Sequence, residues 1–345
     1  MADLARLLTA RRGDWTDWAC YAYLALGVAL MFGPVLWLGV SSLKSPAGLT
    51  EYPPTLLPWE QSRASVPGYP APLPLYQVTA GPAAGQTLAE VRRIGLQAQM
   101  VPVEGGPVQR VPAADRTKVM RLHAATENYT GLLDRFSFGR YLWNSVFITV
   151  VATMLTLLAN SMAAFGLSRF RFPGRQPVFL LMLATLMVPP TIVLVPNYLI
   201  AAQLGLVNNL WGVIWPAIAT PTGVFLLRQY MLTLPDDLIE AARMDNASEW
   251  RIYWRIVLPL SAPALAVLAI FSVMWRWNEF LWPMVVLNRS ESFTLPLALN
   301  AFQGELTTQW NYVLSMTVAT LLPITVIFLF LQRHITQGIA SAGVK

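Results

Sequence analysis

Two charged residues follow an uncharged stretch in the last third of the chain. Arg276 and Glu279 come directly after residues 256–275, which carry no charge. A charge in the middle of a bilayer costs roughly 2.5–3.5 kcal/mol on insertion scales, so such residues usually face a cavity or each other. At i, i+3 spacing the two can pair on one helix face, beside Asn278 and Trp282. An amide and aromatic faces suit a polyhydroxylated solute, which offers apolar CH faces and hydroxyl groups.

These four residues have two interpretations. They could line a solute path or close its gate, or they could be a helix-stabilising ion pair near the outer membrane interface with tryptophans as anchors. Prolines in the preceding apolar segments would break helices and leave backbone groups that need a cavity or packed neighbours. These prolines are Pro189, Pro190, Pro196, Pro216 and Pro221.

A charged, amphipathic stretch covers residues 235–260, between two long apolar runs. Two aspartates follow Pro235, which favours a helix start because acidic side chains stabilise the positive end of the helix dipole. We expect this short helix to end near Met244. It would expose a glutamate–arginine pair at i, i+3 spacing and two small residues: Glu240, Arg243, Ala241 and Ala242.

The chain must reverse at Asn246, after Asp245 and before Ala247. Asparagine tolerates the left-handed conformation that ends a helix, and Ser248 can cap a second helix. Such a polar helix pair has no core of its own and needs a partner at the membrane face. The alternative is a solvated loop with a weak intrahelical pair between Glu240 and Arg243.

Several kinds of chemistry lack their residues. The single cysteine, Cys20, allows no disulfide framework, and neither His123 nor His334 has a neighbouring ligand at metal spacing. No lysine follows a glycine, as a phosphate-binding loop requires. We therefore expect no metal site, no cofactor and no ATPase or other enzyme active site in this chain.

Composition indicates a membrane protein. Apolar residues make up 55% and charged residues 12% of the chain, against roughly 25% charged residues in soluble domains. A membrane span needs about 20 apolar residues. Uncharged stretches cover 18–43, 141–168, 176–227, 256–275 and 306–332, and the third is long enough for two spans that turn at 203–209. The sequence therefore predicts an all-α polytopic protein with six transmembrane helices.

The distribution of arginine and lysine predicts the orientation. With six spans both termini lie on one side, and the termini and loops of that side carry twelve basic residues, whereas the short loops opposite hold only Arg289. The positive-inside rule places the termini and residues 235–260 in the cytoplasm. The net charge of +6 is thus explained by topology and does not indicate nucleic-acid binding. The twelve basic residues on the predicted cytoplasmic side are Arg6, Arg11, Arg12, Arg169, Arg171, Arg175, Arg228, Arg243, Arg251, Arg255, Arg333 and Lys345.

Residues 45–139 form a polar insertion that is predicted to lie outside the cytoplasm. The segments 96–103 and 108–111 alternate around Gly105 and Gly106, which favours a β-hairpin. A small β-rich subdomain is favoured over an irregular spacer. The chain therefore divides into residues 1–44 (N-terminus and helix 1), the insertion 45–139, and a core of helices 2–6 at 140–345.

The stretch 235–260 resembles the cytoplasmic "EAA" loop of membrane-spanning subunits of bacterial ABC importers. The family pattern usually has glycine where this chain has Asn246. Further segments resemble carbohydrate importer permeases, most closely the G-type subunits of maltose permeases, and the similarity covers helix 1 and residues 126–345. Those segments are 197–198, 223–230, 278–283, 307–310, 332–338 and 343–345.

The resemblance implies a permease that moves a sugar, a maltose-like oligosaccharide, across the bacterial inner membrane. It implies four partners: a second, F-type permease subunit, an ABC ATPase dimer that binds ATP and Mg, an extracytoplasmic solute-binding protein, and membrane lipid. The loop would dock on the ATPase through Glu240, Ala241, Ala242, Arg243, Asp245, Asn246 and Ala247.

Three alternatives remain open from the sequence. One is a permease of the same family for another solute, such as glycerol phosphate or an amino acid. A secondary transporter would show internal repeats and an ion-site carboxylate, without a docking loop. A membrane enzyme would need a clustered catalytic set at one face.

Overall fold

The computed structural model describes residues 15–301 and 309–342. The chain divides into two compact units, Met1–Gly131 with Gln309–Val318, and Leu132–Thr308 with Ala319–Lys345. The predicted cytoplasmic residues Arg6, Arg11, Arg12 and Lys345 lie outside the described residues.

The helices in chain order are α1 (Trp15–Ser41), α2 (Pro46–Leu49), α3 (Glu127–Arg135), α4 (Phe138–Arg169), α5 (Arg175–Ala184), α6 (Leu194–Gln203), α7 (Leu210–Ile214), α8 (Pro221–Met231), α9 (Asp236–Met244), α10 (Glu249–Ile252), α11 (Leu258–Leu260), α12 (Ala262–Asn278), α13 (Leu281–Val286), α14 (Leu295–Ala301) and α15 (Trp310–Ala342). The strands are β1 (Trp59–Gln61), β2 (Arg63–Ala64), β3 (Leu73–Val78), β4 (Thr87–Ile94), β5 (Gln97–Pro102), β6 (Gln109–Pro112), β7 (Arg116–Lys118) and β8 (Met120–Leu122).

The strands of the first unit form a small β region. One sheet has the order β2-β3-β4-β5-β6, with β7 also paired to β3, and β1 pairs separately with β8. The predicted hairpin forms between β5 and β6, where Ala98 lies opposite Val111. Gly105 and Gly106 adopt φ of 91° and 148° in the connection, which only glycine adopts without strain.

A nearly buried ion pair lies in this β region. Arg116 Nη1 is 2.6 Å from Glu90 Oε2, and their side chains are 6% and 12% exposed. The guanidinium also lies 3.9 Å from the centre of the Tyr76 ring. Because removal of one partner would leave a buried charge uncompensated, the pair fixes how β7 and β4 pack against β3.

Long apolar helices confirm the predicted membrane type of fold. Among the described residues, α1, α4 and the 310–329 part of α15 are each long and apolar enough to cross a membrane. Two further segments qualify as bent helix pairs. Named by their order among the six predicted spans, they are the fourth segment, Leu210–Ala217 with Pro221–Met231 (45°), and the fifth segment, Glu249–Leu260 with Ala262–Asn278 (75°). That gives three spans, or up to five if each bent pair is one span.

Four of the five predicted prolines lie at breaks in the second unit, whereas Pro196 lies in the first turn of α6 and does not break it. Pro189 and Pro190 lie between the 3₁₀ turn that extends α5 and the start of α6. Pro216 lies in a 3₁₀ turn after α7, and Pro221 starts α8. The predicted turn between α6 and α7 is also present, with Gly205 at φ 68° and Asn208 at φ 59°.

Candidate coupling loop and polar contacts of the membrane core

Helix α9 begins and ends as its sequence predicts. Pro235 precedes it in an extended conformation, and Asp236 and Asp237 occupy its first turn. Asn246 adopts φ 57°. Its N–H donates to Arg243 O at 3.0 Å, and the Ala247 N–H donates to Ala242 O at 3.0 Å. This is the paired hydrogen-bond pattern that a left-handed residue makes possible at a helix C-terminus.

The second part of the loop starts at Ser248. The Ser248 Oγ accepts a hydrogen bond from Arg251 N at 3.3 Å, which caps α10 as expected. After α10 the helical chain continues to Leu260 through a π-helical turn at Tyr253–Val257. Because Pro259 has no N–H to donate to the Arg255 carbonyl, the regular ladder cannot persist there.

The loop is anchored on a hydrophobic cluster of the second unit. Ile239 of α9 and Ile252 of α10 are buried in it with Leu227 and Met231 of α8. Tyr253 is also buried, and its hydroxyl lies 2.7 Å from Ser161 Oγ of α4. The inner face of the loop is therefore fixed to α4 and α8.

Arg169, at the end of α4, adds a polar anchor. Its guanidinium pairs with Asp236 and donates to the carbonyl oxygens of Met231 and Leu234, the last at 2.8 Å. The Arg169 side chain is only 6% exposed. These contacts join the C-terminal end of α4 to the first residue of α9.

The outer face of α9 is exposed and partly apolar. Leu238 is 46% exposed and Met244 is 87% exposed. Glu240 and Ala241 are exposed between them, and among the described residues Glu240 has no hydrogen bond or ion pair in the chain. An exposed surface of this kind on a short, well-anchored helix is suited to contact with another protein.

Arg243 pairs with Glu249 and not with Glu240, the partner considered from the sequence. Its Nε and Nη2 lie 2.8 and 3.3 Å from the two carboxylate oxygens of Glu249. The hydrogen bond that Arg243 donates to Glu249 raises the pKa of Arg243. Glu240 and Arg243 do not form the intrahelical pair, because the reversal at Asn246 brings α10 alongside and places Glu249 closer in bidentate geometry.

A polar cleft of about 620 Å³ lies beside α9. Its lining includes Glu240, Arg243 and Glu249, together with Arg171 before α5 and Arg175, the first residue of α5. Of the remaining predicted docking residues, Asp245 and Asn246 are exposed, whereas Ala242 and Ala247 are half-buried against the hydrophobic cluster. The predicted docking set therefore contains exposed residues that could contact a partner and two alanines that pack against the chain's own hydrophobic cluster.

The four polar residues near the end of the fifth segment are separated by a break. Helix α12 ends at Asn278, and Glu279 is extended. The Glu279 carboxylate accepts from Trp282 N at 3.2 Å, which starts α13. The Arg276 guanidinium donates instead to Ala217 O at 2.7 Å and to Thr156 Oγ1. Arg276 and Glu279 do not form the predicted ion pair, because they do not share a continuous helix.

Asn278 and Trp282, the other two residues of this group, also form hydrogen bonds within the second unit. Asn278 Nδ2 donates to Met274 O at 2.8 Å within α12, and its side chain remains exposed. Trp282 is half-buried, and its Nε1 donates to Gly212 O at 3.0 Å. A cavity of about 170 Å³ lies between Arg276, Trp275, Thr220 and Thr222.

Sequence reasoning missed a polar stripe along α4. The side chains of this stripe recur at spacings of three or four residues, and several bond to the residue before α8, to α12 or to the first residue of α14. Asn144 donates to the carbonyls of Glu291 and Phe293, and Asn160 bonds both the N–H and the hydroxyl of Thr220. The periodic polar residues were a visible signal for an inward-facing stripe: Ser145, Thr149, Thr153, Thr156 and Asn160.

Among the described residues, no group of three or more His, Cys, Asp or Glu side chains could hold a metal ion.

The chain belongs to the family of binding-protein-dependent transport system inner membrane components, whose model matches residues 156–341. It is therefore a membrane transport component of the importer permease type. The match includes the fourth and fifth segments and α9, and thus both candidate sites.

Two curated relatives and one solved structure give the closer comparisons. The arabinooligosaccharides transport system permease protein AraQ of Bacillus subtilis (strain 168) is 38% identical over 64% of this chain and 78% of its own length. The sn-glycerol-3-phosphate transport system permease protein UgpE of Brucella abortus (strain 2308) is 33% identical over 59% of this chain and 73% of its own. A chain of a bacterial ABC transporter involved in import of the acidic polysaccharide alginate has a TM-score of 0.66 at 20% identity, covering 94% of this chain and 98% of that chain. That likeness concerns the fold.

Proposed function

We propose that this chain is the permease subunit of an ATP-driven importer that moves an oligosaccharide across the bacterial inner membrane. The observation that carries the proposal is α9, a helix whose inner face is fixed to α4 and α8 and whose outer face presents Glu240, a carboxylate that forms no hydrogen bond or salt bridge with the described side chains. An ABC ATPase dimer, which binds ATP and Mg, would receive this face. A second, F-type permease subunit and an extracytoplasmic solute-binding protein complete the assembly.

The proposed topology has six spans with both termini in the cytoplasm. The three continuous helices and the two bent segments account for five. The sixth would be formed by α5, its 3₁₀ extension and α6, interrupted at Pro189 and Pro190. The turn at Asn208 and the loop after α13 then share the outer side, because Asn208 Oδ1 accepts hydrogen bonds from Asn288 N at 2.7 Å and from Arg289 N at 3.0 Å.

The solute path is proposed to pass the break at the ends of the fourth and fifth segments. Asn278 and Glu279 are the exposed members of the predicted set and would face the solute or its gate. Arg276 and Trp282 lie behind them. An oligosaccharide is favoured because the curated AraQ relative is an arabinooligosaccharide permease, and amide and aromatic groups suit sugars. A maltose-like sugar and glycerol phosphate are the competing solutes.

The test is uptake by the assembled transporter in proteoliposomes. Labelled arabino-oligosaccharides, maltodextrins and glycerol 3-phosphate would be offered with the solute-binding protein, with ATP inside the vesicles. We expect ATP-dependent uptake of an oligosaccharide and a weaker response in Asn278→Ala vesicles. Uptake of glycerol 3-phosphate alone would refute the sugar assignment, and uptake driven by an ion gradient without ATP would refute the importer mechanism.

A further inference from the structure

Two prolines leave carbonyl groups without their usual donors in the fourth segment. In an α-helix each N–H donates to the carbonyl four residues earlier. Proline has no N–H, so Pro216 cannot bond Gly212 O. Ala217 O also lacks its helical donor, because the chain is extended at Thr220 and the next residue, Pro221, has no N–H. A carbonyl left unsatisfied in a membrane is costly, because no water can replace the missing donor.

Side chains from the end of the fifth segment reach both of these carbonyls. Trp282 Nε1 donates to Gly212 O at 3.0 Å. Arg276 Nη2 donates to Ala217 O at 2.7 Å. The two donors lie six positions apart in sequence and meet carbonyls five positions apart. One short stretch around the break between α12 and α13 therefore supplies both missing bonds.

A third polar contact lies at the break in the fourth segment, between α7 and α8. Thr220, immediately before Pro221, is extended, and its N–H donates to Asn160 Oδ1 at 3.1 Å. Asn160 Nδ2 donates to Thr220 Oγ1 at 2.7 Å. Gly223 leaves room for this amide, since a side-chain carbon there would collide with Asn160 Nδ2. The bend of 45° is thus held by α4 on one side and by the fifth segment on the other.

We propose that Trp282 and Arg276 are positioning residues that replace the missing backbone donors at Pro216 and Pro221 and so fix the bend of the fourth segment for transport. The inference rests on the proposed importer function. Residues that would border the solute, including Thr220 and Thr222, lie at this bend beside the 170 Å³ cavity. Movement of the fifth segment would therefore move the lining of the path.

The structure indicates which proline can be tested by restoring an N–H. Residues 214 and 215 are helical before Pro216, so an alanine there would place its N–H toward Gly212 O. Thr220 is extended before Pro221, so an alanine at 221 would not reach Ala217 O without refolding of the bend. Pro216→Ala is therefore the expected suppressor, and Pro221→Ala is its matched control.

The experiment measures the ratio of solute-stimulated to basal ATP hydrolysis in the assembled transporter. Trp282→Phe keeps an aromatic side chain and removes the indole N–H, and should lower the ratio about fivefold, the effect of one neutral hydrogen bond. Trp282→Phe with Pro216→Ala should return within about twofold of wild type, because a backbone N–H replaces the indole. Trp282→Phe with Pro221→Ala should remain low. Equal ratios in the two double variants would overturn the proposal.

Arg276 is tested by comparing substitutions that differ in their ability to donate. Arg276→Met should lower the same ratio about tenfold or more, since hydrogen bonds from charged donors are the stronger ones. Arg276→Lys keeps one donor and should retain most of the wild-type ratio. Equal loss in both variants would contradict the role of Arg276 as the donor to Ala217.

A second readout separates this inference from the proposed function. If the wild-type assembly shows no ATP-driven uptake, the importer function fails. The thermal midpoint of the purified subunit still tests the hydrogen-bond replacement, because Trp282→Phe should lower the midpoint and Pro216→Ala should restore it. Failure of Pro216→Ala to restore either quantity, with uptake intact in the wild type, would refute the inference alone.

Discussion

Replacing Glu240 with lysine is expected to abolish solute-stimulated ATP hydrolysis and uptake while the subunit still inserts into the membrane. Glu240 is exposed on α9, and among the described residues its carboxylate has no partner in the chain. The outer face of α9 is therefore available to the ATPase. Ile239, the residue before Glu240, is buried in the anchoring cluster on the inner face. A reversed charge at a desolvated contact costs about 2–5 kcal/mol, which is enough to release the ATPase.

The measurements are ATP hydrolysis with and without solute, and the amount of ATPase subunit that copurifies. A matched control is Glu127→Lys, which makes the same change at an exposed glutamate that starts α3 in the first unit. The control should behave like wild type. Normal solute-stimulated hydrolysis in the Glu240→Lys transporter would exclude Glu240 from the docking contact.

Replacing Asn246 with valine is expected to cause the second-largest loss. Asn246 has φ 57°, and a non-glycine residue pays roughly 1–2 kcal/mol in the left-handed region, with β-branched residues resisting it most. A shift to negative φ would break the hydrogen bonds from Asn246 and Ala247 that end α9. We expect uptake to fall about tenfold or more, because the exposed face of α9 would lose its orientation relative to Arg169 and Glu249.

Asn246→Gly is the matched comparison, because glycine adopts positive φ readily. It should support uptake within about twofold of wild type at equal amounts of membrane protein. Equal uptake by the valine and glycine variants would mean that the left-handed turn is not required for coupling.

The local features of the loop could be predicted because each depends on a few neighbouring residues. The helix start after Pro235, the left-handed Asn246 and the cap at Ser248 follow from the intrinsic preferences of those residues. The hairpin around Gly105 and Gly106 and the proline breaks were predictable for the same reason. The family could be identified because the loop and the flanking segments carry recognisable motifs.

The partners of long charged side chains could not be predicted from spacing. Arg243 bonds Glu249 because the turn at Asn246 brings α10 alongside α9, and Arg276 bonds Ala217 because α12 ends before Glu279. Both outcomes depend on where helices end and which other elements pack nearby. The inward stripe on α4 was visible as a periodic pattern, but its partners at Thr220, Ser272 and Phe293 are determined by tertiary packing.

The most direct measurement of the central claim is a cross-link from α9 to the ATPase. Cys20 would be replaced by serine, and single cysteines placed at Ala241 on the exposed face of α9 and at Ser290 in the loop after α13 would be labelled with a thiol-reactive photo-cross-linker in the assembled transporter. We predict a product that joins the Ala241 variant to the ATPase subunit and none from the Ser290 variant, which would also place α9 on the cytoplasmic side. An active transporter that gives the ATPase product from Ser290, or from neither position, would contradict the proposed coupling loop.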